Sequence, residues 1–171
     1  QSRIRGLYLM AISNKFNLML CTTGDKSEMA VGYATLYGDM SGALGIIADV
    51  YKTEVYKIAA FINREKEIIP NEIINKEPSA ELRPNQTDQD SLPPYDLLDK
   101  ILKMYLEEYK EFNEINEEIR DEETVRNVLT LVDKNEFKRK QAAPALRVTT
   151  KAFGYGRRFP IVQKWERRQQ Q

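Results

Sequence analysis

Glu28, Asp39 and Lys52 are the side chains of the first third of the chain whose type and placement could do chemistry. Each lies in or beside a polar turn that follows a short apolar run. A carboxylate at the start of a helix, as Glu28 would be, can ligate Mg²⁺. At the third position after a helix-capping Asp25 it can equally close a capping box on the Asp25 backbone N–H. Gly38-Asp39 reads as an ordinary turn or as a carboxylate offered to a ligand. Lys52 precedes a helix, where ammonium and helix N-terminus together would favour a phosphate, and where an exposed lysine can also simply be solvated. The chain has no histidine, which removes Ser-His-Asp and Cys-His catalysis and most zinc sites. Chemistry here must use carboxylates, lysine, arginine, backbone amides and an oxygen-ligated metal such as Mg²⁺. Cys21, the single cysteine, lies inside an apolar run with no base to activate it and reads as core, not as a nucleophile.

The elements that must position these residues follow from the apolar spacing. Leu18 to Thr22 reads as a buried strand of a parallel sheet, followed by the polar turn Thr23 to Glu28. Met29 to Tyr37 reads as a helix stopped by Gly38, and Gly42 to Gly45 as a second glycine-marked turn. Leu44 to Ala48 is the next apolar run, and Thr53 to Arg64 the next helix, with Val55, Ile58, Ala59 and Ile62 inward. In open α/β sheets ligands sit just outside the carboxyl ends of the strands, where both polar turns fall. Ahead of this unit, Ser2 to Lys15 reads as a helix with Ile4, Leu7, Tyr8, Ala11 and Ile12 on one face. Two parallel strands with crossover helices leave strand edges and apolar helix faces bare. The expected fold is therefore α/β, an incomplete Rossmann-like parallel sheet with a C-terminal helical part. It would be completed by strands N-terminal to Gln1 or by another chain.

Beyond the sheet, Ile68 to Ile74 brings the chain back. Pro78 to Pro94 is longer than an ordinary connection and poor in apolar residues, the pattern of a lid or a disordered loop. Pro94 to Tyr109 reads as a helix striped by Leu98, Ile101, Leu102, Tyr105 and Tyr109. Asp121 to Val132 reads as another, with Val125, Val128, Leu129 and Val132 inward, and Asn135 to Gln141 as a short basic helix. Val148 to Ile161 reads as an extended, partly ordered tail, with Gly154 and Gly156 around Tyr155 and then Arg157-Arg158. Acids crowd Glu107 to Glu123 and bases crowd Lys138 to Arg168. These are two solvated surfaces that offset one another, or a basic tail that meets phosphates. The net charge of zero argues against bulk nucleic-acid binding. No apolar run approaches the roughly 20 residues that span a bilayer, no signal-peptide pattern opens the chain, and the lone cysteine suits a reducing compartment. The expected setting is cytoplasmic, away from membranes.

These pieces together resemble NAD⁺ synthetases, most closely the synthetase half of the glutamine-dependent type. The matching stretches are Thr22-Thr23-Gly24-Asp25-Lys26-Ser27-Glu28, Tyr37-Gly38-Asp39, Asp49-Val50-Tyr51-Lys52-Thr53, Lys76-Glu77-Pro78-Ser79-Ala80-Glu81-Leu82 and Asn135-Glu136-Phe137-Lys138-Arg139, then Lys151-Ala152-Phe153-Gly154 with Arg157-Arg158. They run in order through nearly the whole chain.

The resemblance implies an adenine-nucleotide α-hydrolase-like fold that adenylates deamido-NAD with ATP. Ammonia, drawn from glutamine through a glutaminase domain, then displaces AMP. It implies that Glu28 ligates Mg²⁺, that Thr23, Lys52 and Ser79 contact ATP, and that Lys52 serves catalysis on the phosphates. It implies that Asp39 and Lys138 hold deamido-NAD, and that the protein is a homo-oligomer, a dimer in the family. The family's Ser-Gly-Gly-x-Asp-Ser pyrophosphate loop is absent, so the chain is expected to be the C-terminal part of a synthetase domain, inactive by itself. Within it, residues 1–75 are expected to form an α/β portion, 76–94 a mobile loop, 95–143 a helical portion and 144–171 an extended basic tail. The competing expectations are a catalytically silent dimerisation or docking piece, and another adenylating amidotransferase. The Lys-Glu-Pro-Ser-Ala-Glu-Leu stretch and the Phe-Gly tail speak against the latter.

Overall fold

A computed structural model describes residues 1–80, 82–154 and 156–162. Glu81, Tyr155 and residues 163–171, which include part of the motifs and tail named above, lie outside the described residues. The chain runs as α1 (Ser2–Phe16), β1 (Cys21–Thr22), α2 (Lys26–Val31), β2 (Leu44–Gly45), α3 (Lys52–Ile62) and α4 (Asn71–Asn75). A 3₁₀ turn at Asp88–Asp90 leads to α5 (Tyr95–Leu106), α6 (Phe112–Ile119), α7 (Glu122–Lys134) and α8 (Glu136–Arg139). The fold is α/β. β1 and β2 pair in parallel with Cys21 opposite Leu44 and Thr22 opposite Gly45. Ala145 adds a single parallel bridge on the other side of Gly45, whose N–H donates to the Pro144 carbonyl at 2.9 Å. No helix among the described residues is long and apolar enough to cross a membrane.

The core lies in the helical part. Leu98, Ile101 and Leu102 of α5, Ile115 of α6, and Val125, Val128, Leu129 and Val132 of α7 are buried against Ala30, Val31 and Tyr51. Side chains of this kind stabilise a fold by about 1.5–3 kcal/mol each when fully buried. The stripes expected on α5 and α7 thus face inward, except that Tyr109 lies past the end of α5 with φ 59° and is exposed. Helix α6 has no counterpart in the sequence reading. Its acidic composition suggested a solvated surface, yet Ile115 and Phe112 pack into the core while its glutamates face outward.

Other expectations fail for local reasons. The strand expected from Leu18 begins only at Cys21, and Leu18 and Met19 are exposed. Helix α3 starts at Lys52 and buries none of its residues, so Val55, Ile58, Ala59 and Ile62 do not form a covered face. On α1 only Ser2 and Gly6 are buried, while Ile4, Leu7, Tyr8 and Ile12 are exposed. Gly6 is needed there because a Cβ would stand 2.8 Å from the Gly38 carbonyl.

The helix expected over Met29–Tyr37 is instead α2, starting three residues earlier and ending at Val31. It stops because Gly32 turns left-handed, φ 71°, and because its last carbonyls have partners elsewhere. Asn135 Nδ2 donates to Val31 O at 2.9 Å, Lys138 Nζ to Gly32 O at 2.6 Å and Arg139 to Ala30 O at 2.5 Å. Three side chains from the α7–α8 junction therefore cap the end of α2, two of them cationic at the negative end of its dipole. A Cβ on Gly32 would fall 2.1 Å from Asn135 Cγ. Gly32→Ala is expected to cost at least about 1–2 kcal/mol for the left-handed backbone alone, and more as Asn135 is driven from Val31. A thermal melt unchanged from the parent would contradict this.

Candidate functional site

The carboxyl end of β1 and the start of α3 open onto a cleft of about 630 Å³. All six residues singled out from the sequence line it: Thr23, Glu28, Asp39, Lys52, Ser79 and Lys138. Thr23 and Gly24 follow β1 directly, and Glu28 stands in the first turn of α2. Lys52 opens α3, Asp39 ends the turn after Tyr37, Ser79 comes from the long connection, and Lys138 reaches in from α8.

At the centre is a compact ionic triad. Lys52 Nζ lies 2.7 Å from Asp25 Oδ2 and 2.6 Å from Glu28 Oε1. The two carboxylates also make both halves of the capping box: Asp25 Oδ1 accepts from the Glu28 N–H at 2.9 Å, and Glu28 Oε2 accepts from the Asp25 N–H at 3.1 Å. Glu28 therefore caps α2 with one oxygen and holds the Lys52 ammonium with the other. The Tyr95 ring lies 5.2 Å from the Lys52 ammonium.

Electrostatics sharpen the triad. Burial, then the negative charge of Glu28, lifts Asp25 from 3.8 to about 7 against the pull of Lys52. Burial opposes the charge on Lys52, but Asp25 and Glu28 outweigh it and hold its pKa above that of an ordinary lysine. The folded value of Asp25 exceeds its unfolded one. Its contribution to stability is thus fully present below about pH 4 and is lost as pH rises through about 7. Asp25→Asn, which keeps an N-cap acceptor, is expected to flatten the fall in melting temperature between those limits. An equally steep profile in the variant would exclude Asp25 as its source.

Asp39 and Lys138 are each held by hydrogen bonds of their own. Asp39 accepts from Ser2 Oγ at 2.8 Å and from the Thr35 N–H at 2.9 Å, tying α1 to the turn. Lys138 Nζ donates to Gly32 O and, at 2.9 Å, to Ala34 O, and burial lowers its pKa. Within the Pro78–Pro94 connection the Asp88 N–H donates to Pro78 O at 2.9 Å, and Tyr95 OH donates to Asp88 Oδ2 at 2.6 Å.

Several residues that build the site escaped the sequence reading. Lys26 is wholly buried and bonds Asp49 Oδ1 at 3.0 Å and Glu107 Oε1 at 3.2 Å. Asp49 accepts from the Val148 and Thr149 N–H groups at 2.8 Å each. Ser27 and Asp99 lie beneath Lys52, both buried. A lysine in a polar turn looks solvated, and nothing in the sequence marks Lys26 otherwise. Asp49 did carry a signal, its place at the end of the second apolar run.

Oxygen donors suited to a hard cation are present, since Asp25 and Glu28 already share one cation, the Lys52 ammonium. No group of three or more acids, cysteines or histidines that could hold a metal occurs among the described residues. The Asp25–Glu28 pair is within what Mg²⁺ takes from a protein, one or two carboxylates, its shell being completed by water and substrate phosphates.

Known proteins share this arrangement of sequence. The profile of the NAD synthase family matches residues 1–142. A glutamine-dependent NAD(+) synthetase of Thermotoga maritima is 55% identical over 168 residues, covering 97% of this chain and 29% of its own length. One from Synechocystis sp. is 56% identical over 163 residues, covering 95% of this chain and 29% of its own. The chain thus spans less than a third of these relatives. Among solved structures, a glutamine-dependent NAD(+) synthetase from Cytophaga hutchinsonii matches with a TM-score of 0.77 at 23% identity, over 96% of this chain and 28% of that one. An NH3-dependent NAD synthetase from Campylobacter jejuni matches with a TM-score of 0.57 at 26% identity, over 80% of this chain and 49% of that one.

Proposed function

Because this chain belongs to the NAD synthase family, we propose that it supplies one wall of a synthetase site that amidates deamido-NAD to NAD⁺ at the expense of ATP. The observation that carries the proposal is the meeting of Thr23, Glu28, Asp39, Lys52, Ser79 and Lys138 in one cleft from five separate stretches of chain. In this reading residues 1–171 are the C-terminal part of the synthetase domain, and the ammonia comes from glutamine by way of a glutaminase domain.

The chemistry sets the requirements. A carboxylate is a poor electrophile. Attack of the nicotinate oxygen on the α-phosphorus of ATP releases pyrophosphate and leaves an acyl-adenylate. Ammonia then adds to the acyl carbon, and AMP departs with the electron pair of the broken C–O bond. Each step moves negative charge onto phosphate oxygens, where a fixed cation lowers the barrier. Lys52 is that cation. Asp25 and Glu28 hold it in this structure; phosphate oxygens of ATP would take their place. Thr23 and Ser79 offer hydroxyls to the nucleotide, and Asp39 and Lys138 hold the second substrate at the α1 side of the cleft. Glu28, which lines the cleft, would hold Mg²⁺, which would supply further charge neutralisation on the phosphates.

The test uses a chimera in which this chain replaces the corresponding 168-residue segment of the Thermotoga maritima relative. The chimera is expected to form NAD⁺, AMP and pyrophosphate in equal amounts from deamido-NAD, ATP and ammonia. Thermally stable chimera that forms none of them would overturn the proposal.

A further inference from the structure

Lys52 works in the proposed site only if its ammonium can leave Asp25 and Glu28 for a ligand without its helix start shifting. Asp25 and Glu28 cannot secure this, since they hold the ammonium itself. The backbone is held by a different group. Asp99 lies on α5, one helix away, and is 2% exposed. Its Oδ2 accepts from the Thr53 N–H at 2.9 Å, and its Oδ1 accepts from the hydroxyl of fully buried Ser27. The Ser27 oxygen in turn accepts from the Lys52 N–H at 2.9 Å. The first two N–H groups of α3 have no carbonyl partner within their own helix. Tyr51, the residue before α3, provides no side-chain cap. Asp99 therefore caps α3 from across the core, directly at Thr53 and through Ser27 at Lys52. Ser27 belongs to α2, next to Glu28, so the same hydroxyl ties the starts of α2 and α3 to one carboxylate.

We propose that Asp99 is a positioning residue for Lys52, acting through Ser27 to fix the first turn of α3 while leaving the lysine ammonium free to exchange partners. Its link to catalysis rests on the function proposed above. A buried carboxylate spent on backbone amides and a hydroxyl, none of which a ligand competes for, holds its geometry whether the cleft is empty or filled. Sub-ångström placement of a charged group matters most where charge develops.

Two measurements separate this proposal from the functional one. Amide hydrogen exchange on the chimera reads the anchoring directly. Ser27→Ala, the milder change, and Asp99→Asn are each expected to speed exchange at Lys52 and Thr53 about tenfold while leaving the α5 and α7 core amides as they were. Unchanged protection at Lys52 overturns the proposal, and so does faster exchange throughout the core, which would make the contact merely structural. In the chimera, Ser27→Ala is expected to lower kcat/KM for ATP about tenfold when Lys52 is present and less than about twofold in a Lys52→Met background, because the two changes act through one group. The KM for deamido-NAD should stay within twofold. Equal losses in both backgrounds overturn the proposal even if NAD⁺ is made. If no NAD⁺ forms in the unmutated chimera, the function is wrong and hydrogen exchange alone decides the anchoring.

Discussion

Lys52→Ala in the chimera is expected to lower kcat/KM for ATP by about 10²–10³-fold, the usual loss when one fixed charge-stabilising donor is removed. The expectation rests on how the lysine is held. Burial works against its charge, yet the paired carboxylates hold its pKa above the ordinary value, so the ammonium is fully charged at neutral pH. It is also aimed, since Asp25 and Glu28 contact it from the α2 side and Tyr95 lies beneath it. Removing it should leave KM for deamido-NAD little changed, because Asp39 and Lys138 stand apart on backbone contacts of their own. Lys52→Arg restores the charge but not the shape of a compact ammonium, and partial recovery is expected. Activity within threefold of the parent in Lys52→Ala would exclude this lysine from the reaction. A second effect accompanies the loss: Asp25, already lifted by burial and by Glu28, loses its counter-charge and should titrate higher still.

The largest effect on stability is expected at a residue that touches no proposed ligand. The Lys26 ammonium is fully buried against Asp49, which is fully buried as well. It also donates to Thr149 Oγ1 at 2.5 Å and to Lys151 O at 2.9 Å, and it stands 4.7 Å from the Tyr51 ring. The network joins the ends of both strands to the stretch Val148–Lys151 and to Glu107 past the end of α5. Burial acts against the Asp49 charge, but the Thr149 and Val148 amides, with Lys26, hold its pKa below the usual range. Glu107 is likewise held low, burial being outweighed by donors that include Tyr51, Thr150 and Lys26. Lys26→Met fills the space but strands these carboxylates without their cation. Breaking a buried pair from one side typically costs about 3–5 kcal/mol. Since both acids have folded pKa values below their unfolded ones, the stability they contribute is present above pH about 4 and is lost as pH falls through the depressed values. The penalty in Lys26→Met should therefore be largest at neutral pH and shrink in acid. Lys26→Met/Asp49→Asn should recover part of it. Urea unfolding at pH 7 checks the magnitude, and a loss under about 1 kcal/mol would mean that the network carries little of the fold.

Much of the candidate site was legible in the sequence because its residues stand at positions that local patterns mark. Glu28 follows a capping Asp25 at the third helical position, Lys52 precedes an apolar-periodic helix, and Asp39 follows a glycine. The motifs that contain them, with Ser79 and Lys138, also carry the likeness to NAD⁺ synthetases, and the fold class follows from two apolar runs separated by helices. What these patterns do not carry is the choice between structural and chemical use of a side chain. Glu28 makes its capping box while lining the cleft, and Lys138 caps the end of α2 while lining the same cleft.

Tertiary structure decided the rest, in two ways. Helix limits changed where distant groups satisfied backbone atoms: α2 ends at Val31 because Asn135, Lys138 and Arg139 take its carbonyls, and α3 begins at Lys52 because Ser27 and Asp99 take its N–H groups. Burial of charge was invisible for the same reason. Lys26, Asp49 and Asp99 have the composition of surface residues, and only partners 23 to 125 positions away make their burial affordable. Local sequence determines which backbone groups and charges need partners; the packed chain determines which partners they find.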